Sequence, residues 1–87
     1  MSGRMRVMMQ PVRLTHDAVA DAAYVYLVDE IDRGEVASPQ IAGIPLDRAT
    51  LIVDFDASGR VLGIEVLGAS RVLREETISA AEDITRR

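Results

Sequence analysis

The chain has 87 residues, enough for one small domain and too few for two. Its formal net charge of −4 argues against nucleic-acid backbones and anionic membranes as partners. The absence of cysteine excludes disulfides, thiol catalysis and thiolate metal sites. No apolar stretch approaches the ~20 residues of a membrane span, and residues 1–10 lack the apolar core of a signal peptide. We therefore expect a cytoplasmic protein.

The core must be built from aliphatic side chains, because the aromatic residues are only Tyr24, Tyr26 and Phe55. A chain of this length buries a modest share of its surface on folding, so a second copy packing on an apolar face would add stability. We expect a flexible N-terminal extension over residues 1–10 and a single α+β domain over residues 11–87.

The first half of the chain predicts two strands. Residues 12–16 alternate apolar and polar side chains, which indicates a short strand. The carboxylate of Asp17 can accept hydrogen bonds from freed backbone N–H groups and cap a turn over residues 18–21. A second strand is predicted over residues 23–29 from its β-branched and aromatic content. Its alternation puts two tyrosines on the face opposite two aliphatic side chains: Tyr24 and Tyr26 opposite Val25 and Leu27.

Residues 32–47 form a long connection that contains two glycines and two prolines. The sequence allows a short edge strand near Glu35–Ala37. A connection of this length in a small domain is functional or mobile.

The stretch "DFDASGRVLGIE", residues 54–65, nearly fits the calcium-loop pattern D-x-[DN]-x-[DN]-G-x₅-E. A calcium loop lies between helices, whereas β-rich residues precede this one and a glycine follows it closely. In an extended hairpin Asp54 and Glu65 lie on opposite strands and cannot surround one ion together with Ser58. We therefore interpret the stretch as a β-hairpin over residues 51–67 and expect no metal ligands in it.

The register of this hairpin follows from burial, because a slip of one residue moves every side chain to the opposite face. With a two-residue turn at Ser58-Gly59, Val53 pairs with Ile64 and Phe55 with Leu62, and one face is wholly apolar. A three-residue loop would mix acids and apolar groups on both faces, and we reject it. A four-residue loop over residues 57–60 has the same parity and stays open.

The C-terminal stretch "RVLREETISAAEDITRR", residues 71–87, predicts a helix with an apolar stripe of about 3.6-residue period. The stripe is formed by Val72, Leu73, Thr77, Ile78, Ala81 and Ile84. Altogether we expect an α+β fold in which this helix packs on one face of a small antiparallel sheet of three to four strands.

Two motifs in this order resemble a family of small bacterial domains of unknown function, family 2283. "DAVADAAY" (residues 17–24) fits D-x-x-A-D-A-x-Y, and "LIVDFDASGRVLGIEVLGAS" (residues 51–70) fits a hairpin ending in G-I-E-[VI]-L-x-A-S. The resemblance covers roughly residues 12–70. It implies a compact antiparallel sheet with a helix and supplies no catalytic residues. Some such domains look like the partner of a second small protein encoded nearby, in toxin–antitoxin style.

One polar face of the predicted sheet is a candidate interaction surface. If strand 23–29 lies beside the hairpin, this face carries two tyrosines and three acids: Tyr24, Tyr26, Asp54, Asp56 and Glu65. Charged residues on an antiparallel sheet usually just face solvent, whereas tyrosines beside acids are typical of an interface.

A second candidate site consists of His16, Asp17 and Asp21. The histidine could act as a general base, but no Ser, Cys or Lys nucleophile accompanies it. The two aspartates, four positions apart, could share a cation, although capping accounts for Asp17. We expect no catalytic residues and no cofactor. The favoured function is a non-enzymatic module that binds a second copy or a small partner protein; the alternative is binding of a small molecule or a divalent cation through the acidic residues.

Overall fold

The computed structural model describes residues 12–43 and 48–85, so the extension predicted over residues 1–10 lies outside the described residues. They form a six-stranded sheet with two short helices, an α+β fold. In chain order the elements are β1 (Arg13–Asp17), β2 (Ala22–Tyr26), β3 (Ser38–Ala42), β4 (Thr50–Phe55), β5 (Val61–Leu67), α1 (Ala69–Val72), α2 (Glu75–Ala80) and β6 (Glu82–Asp83). Neither helix in this part of the chain is long and apolar enough to cross a membrane.

The sheet joins two antiparallel units in the order β3-β4-β5-β2-β1-β6. Strands β3, β4 and β5 form a meander, and β1 and β2 form a hairpin. The units meet where β2 pairs with β5, with Tyr24 opposite Glu65. The condition set for the candidate interaction face, that the strand predicted over residues 23–29 lies beside the hairpin, is therefore met by β2.

The sheet has six strands, more than the three to four antiparallel strands that the sequence predicted. The edge strand of the long connection is β3, at Ser38–Ala42 instead of Glu35–Ala37, and it pairs with β4. Its sequence, SPQIA, contains a proline, which weakens a strand signal but is tolerated at the edge of a sheet. Residues 44–47 of the connection lie outside the described part of the chain.

The prediction of one continuous C-terminal helix was also wrong. Helix α1 ends before Leu73 and α2 begins after Arg74, and both of these residues have extended backbone angles. The chain then forms β6, which is parallel to β1, and the Ile84 N–H donates to the His16 carbonyl at 2.9 Å. Leu73 packs against the core, and the chain after α2 pairs with the free edge of β1.

The hairpin register is confirmed along most of its length, with Leu51 opposite Val66 and Val53 opposite Ile64. The turn differs from the prediction. The Asp56 N–H donates to the Arg60 carbonyl, which leaves the three-residue loop 57–59 that we had rejected. Phe55 consequently lies opposite Val61 instead of Leu62, and an irregularity between Asp54 and Phe55 absorbs the slip. Such a bulge adds one unpaired residue, so a three-residue loop is compatible with the burial-selected faces.

The core lies between α1 and one face of the sheet. Ala23, Val66 and Ala69 are buried, and partly buried Leu14, Leu51, Ile64 and Leu73 pack around them. Two alanines at the contact let α1 lie close to the strands. We call the opposite face, which lies away from α1, the open face. By the strand registers its residues are Arg13, Thr15, Tyr24, Tyr26, Ile41, Thr50, Ile52, Asp54, Gly63, Glu65 and Leu67.

Gly59 has a φ of 84°, a left-handed conformation that closes the loop between β4 and β5. We expect Gly59→Ala to lower the free energy of unfolding by about 1 kcal/mol, because a Cβ is disfavoured there. Urea denaturation measures this. Gly43→Ala is the matched control: Gly43 also has open space around its Cα and lacks a positive φ. Equal effects of the two substitutions would contradict this account of the turn.

Candidate functional site

A hydrogen bond between Tyr24 and Asp54 spans the centre of the open face. Tyr24 lies on β2 and Asp54 on β4, and β5 runs between them. The tyrosine hydroxyl donates to Asp54 Oδ2 at 2.7 Å. The ring crosses β5 over Gly63: a Cβ on that glycine would lie 2.7 Å from the tyrosine oxygen and 2.6 Å from the Val25 carbonyl oxygen. Only glycine leaves room for this crossing, as is typical where another group approaches a strand closely.

The Asp54 carboxylate is buried, with the residue only 8% exposed. A buried carboxylate needs a hydrogen-bond donor, since the loss of hydration is otherwise uncompensated. Burial of Tyr24, together with the adjacent carboxylate, raises the pKa of its phenol far above the usual value of 10. The tyrosine is therefore a permanently protonated donor at neutral pH.

Tyr26 and Arg13 extend this bond into a row across three strands. The rings of Tyr24 and Tyr26 lie 4.7 Å apart between centroids, tilted by 54°. The Arg13 guanidinium carbon lies 4.1 Å from the centroid of the Tyr26 ring, a cation–π distance. Arg13 also lies 3.7 Å from a carboxylate oxygen of Glu82 on β6. We call Arg13, Tyr26, Tyr24 and Asp54 the polar row.

Of the five residues predicted to share the interaction face, four lie on the open face and one belongs to the turn. Glu65 lies opposite Tyr24 on β5 and is partly exposed. Asp56 lies beyond the end of β4, where its carboxylate accepts bonds from the Ser58 and Arg60 N–H groups at 2.9 Å. These bonds, with that from the Arg60 N–H the strongest, lower the pKa of Asp56. The acids of the calcium-like stretch thus have separate surroundings, and no group of three metal-ligating side chains occurs among the described residues.

The second candidate site, His16, Asp17 and Asp21, lies between β1 and α1 and has structural contacts. Asp17 accepts from the backbone N–H groups of Val19 and Ala20 at 2.9 and 3.1 Å, which confirms its capping role in the turn. The hydrogen-bond partners of Asp21 differ from those of Asp17. Asp21 has a φ of 52° and its carboxylate contacts Ser70 and His16.

Asp21 attaches the start of α1 to the sheet. Its carboxylate accepts from the Ser70 hydroxyl at 2.7 Å and from the Ser70 N–H at 3.0 Å, and its carbonyl accepts from the Gly68 and Ala69 N–H groups at 2.9 Å. His16 Nε2 lies 3.3 Å from the same carboxylate. The Ser70 hydroxyl is the first cause of a lowered Asp21 pKa. Asp21 therefore satisfies N–H groups that a helix leaves free at its N-terminus.

The two sequence motifs meet in the fold. Asp21 and Tyr24 come from the first motif; they contact Ser70 and Gly63 from the second. Sequence reasoning did not identify Arg13, Gly63 or Ser70 as partners. Of the three, only Gly63 carried a usable signal, because a glycine within a strand pattern marks a close approach.

A family model described as "Protein of unknown function (DUF2283)" matches residues 13–70. The chain belongs to the DUF2283 family. The match covers both motifs and ends at Ser70, the partner of Asp21. Neither a curated protein nor a solved structure matches the chain.

Removing the Tyr24 hydroxyl tests the hydrogen bond across β5. We expect Tyr24→Phe to lower the free energy of unfolding by about 1–3 kcal/mol, because the buried carboxylate loses its donor. Tyr26→Phe is the matched control, since no bond of the Tyr26 hydroxyl contributes to the row. Thermal and urea denaturation of both variants measure the difference, and a Tyr24→Phe variant as stable as Tyr26→Phe would rule out an energetic role for the bond.

The hydrogen bonds that the Asp21 carboxylate accepts predict that the stability of the fold depends on pH. Because its folded pKa lies below the ordinary 3.8, the ionised carboxylate stabilises the fold above that value, and the contribution is lost as the pH falls through the folded pKa. Asp21→Asn keeps a residue that tolerates a positive φ. We expect it to cost about 1–2 kcal/mol at neutral pH, with a smaller difference from wild type in acid.

Urea midpoints across a pH series measure this difference, with Asp29→Asn as the control for an exposed carboxylate. A wild-type advantage over Asp21→Asn that stays constant into acid would show that the ionised carboxylate is not the source of the stabilisation.

Proposed function

We propose that this DUF2283 protein is a non-enzymatic interaction module whose open face binds a second copy of the chain. The observation that carries the proposal is the polar row, which presents two tyrosines in ring contact and an arginine on a sheet face away from α1. Tyrosine and arginine are enriched among the residues that dominate binding energy at protein interfaces.

The polar row is held in place before any partner arrives. Tyr24 is fixed at its hydroxyl by Asp54, and Tyr26 is held between the Tyr24 ring and the Arg13 guanidinium. Side chains that are already ordered lose little conformational entropy on binding. This favours a contact surface over a face that only keeps the protein in solution.

Apolar side chains lie on the same face as the polar row, along β3, β4 and β5. Ile41 is 76% exposed and Leu67 is 37% exposed, and both lie on the open face with the partly buried Ile52. No large side chain among the described residues is fully buried. A sheet is usually covered on both apolar faces, and a second small domain would supply the missing layer.

Charge favours a second copy as the occupant. The open face and its margin carry both signs, with Arg13 and Glu82 near one edge and Glu65 opposite Tyr24. A two-fold interface places the same patch on both subunits, so it requires a surface that complements itself. A face with unlike charges around an apolar and aromatic centre meets this requirement.

The hydrogen bonds that the aspartate side chains already accept within the fold support a non-enzymatic role. Asp17, Asp21, Asp54 and Asp56 each accept hydrogen bonds that serve a turn, the helix or the Tyr24 contact. The alternative of a cation or small-molecule site at His16, Asp17 and Asp21 has no observation in its favour, because these contacts account for its residues.

Light scattering coupled to size exclusion, over a series of protein concentrations, tests the proposal. We expect a dimer that Tyr26→Ala weakens and Ile41→Asp converts to a monomer, because a charge would be buried in the interface. Val19→Asp is the matched control: Val19 is 81% exposed but lies in the turn between β1 and β2.

A wild-type protein that remains monomeric at every concentration would contradict self-association. A small partner protein that copurifies with the wild type, and is lost on Ile41→Asp but retained on Val19→Asp, would assign the open face to a heterologous partner, as in the toxin–antitoxin style that the family resemblance implies.

A further inference from the structure

A depression of about 330 Å³ lies where β4 begins and β5 ends, away from the polar row. Two segments of the chain form it, one on each side. Its lining residues are Arg48, Ala49, Thr50, Leu67, Gly68 and Arg71.

The two arginines in this lining have no carboxylate partner within residues 12–43 and 48–85. The ion pairs of that part of the chain involve Arg13, His16 and Arg74 instead. Arg71 makes one long contact, from Nη1 to the Arg48 carbonyl at 3.4 Å. A guanidinium has five N–H donors, so most donors of both side chains are left for another acceptor. Two arginines whose side chains pair with no described carboxylate therefore line one depression of an acidic protein.

Gly68 brings the two segments together. It has a φ of 82°, and a Cβ there would lie 3.3 Å from the Arg48 carbonyl oxygen and 3.5 Å from Ala49. The backbone N–H groups of Gly68 and Ala69 donate to the Asp21 carbonyl. The backbone at this end of α1 is therefore occupied, and recognition in the depression depends on the side chains of Arg48, Arg71 and Thr50.

We propose that the depression binds an oxyanion, a carboxylate or a phosphate group, through the guanidinium groups of Arg48 and Arg71. Planar guanidinium groups match both anions by paired N–H···O bonds, and the Thr50 hydroxyl offers a further donor. The depression shares Thr50 and Leu67 with the open face but contains no residue of the polar row. The argument for the anion rests on the two arginines and not on the interaction proposed for the open face.

Amide chemical-shift titrations test the site, with inorganic phosphate in one series and succinate in the other at constant ionic strength. We expect saturable shifts that cluster at Ala49, Thr50 and Gly68. Arg71→Gln and Arg48→Gln should each weaken binding about tenfold or more, which corresponds to about 1.4 kcal/mol. Arg33→Gln, in the connection before β3, is the matched control and should bind as the wild type does.

The series that saturates identifies the anion: phosphate alone, succinate alone, or both, and each of these supports the site. Shifts that do not saturate, that spread over the whole surface, or that respond equally to Arg33→Gln would overturn it. The amide spectrum of each variant reports its folding, and two independent arginine variants keep the test decisive if one of them unfolds. Ile41→Asp should still bind the anion, which separates anion binding from the self-association proposed for the open face.

Discussion

The hydrogen bond from Tyr24 to Asp54 is the interaction on which the arrangement of the sheet depends. It joins the β1–β2 hairpin to the β3–β4–β5 meander across an intervening strand. The bond requires a glycine beneath the tyrosine ring, and the buried carboxylate requires the tyrosine as a donor. Three strands thus constrain one another through one residue each: Tyr24 on β2, Gly63 on β5 and Asp54 on β4. The same contact orients the Tyr24 ring, against which Tyr26 and then Arg13 are placed.

A second set of hydrogen bonds, accepted by Asp21, holds α1 against the sheet. A helix of four residues is too short to be stable alone, because nucleation costs more than so few bonds return. Asp21 supplies what α1 lacks by accepting bonds from Gly68, Ala69 and Ser70. Ala69 is fully buried against Ala23 and Val66 as a result. Residues of the two motifs therefore make the contacts that position the hairpin, the helix and the Tyr24 side chain relative to one another.

Features with a period of two residues could be predicted from the sequence. Alternation gave the placement of Tyr24 and Tyr26 on one face, and it gave the pairing of Val53 with Ile64. The turn was mispredicted because the parity argument assumed an unbroken ladder, whereas a bulge beside Asp54 changes parity locally. The C-terminal helix was mispredicted because the apolar stripe carried no signal of the break at Leu73 and Arg74, or of the pairing of Glu82–Asp83 with the free edge of β1.

Contacts between distant parts of the chain were beyond sequence reasoning. Asp21 and Ser70 are separated by 49 positions, and neither residue carries a local signal of the other. Tyr24 and Asp54 were expected on the same face, but the crossing over Gly63 depends on the order of three strands. The Arg48 and Arg71 depression likewise exists only once β4 and β5 are paired. A single sequence shows which side chains share a face and leaves open which of them touch.

The two edge strands of the sheet, β3 and β6, limit strand pairing between copies of the chain. At one end β6 offers only two residues, and at the other β3 carries Pro39, which has no N–H to donate. Natural sheets use short edge strands and edge prolines to prevent open-ended growth by strand pairing. Because both edges are blunted in this way, self-association as proposed for the open face would use a face and not an edge, and two-fold pairing there would end with two molecules and not continue into a fibre.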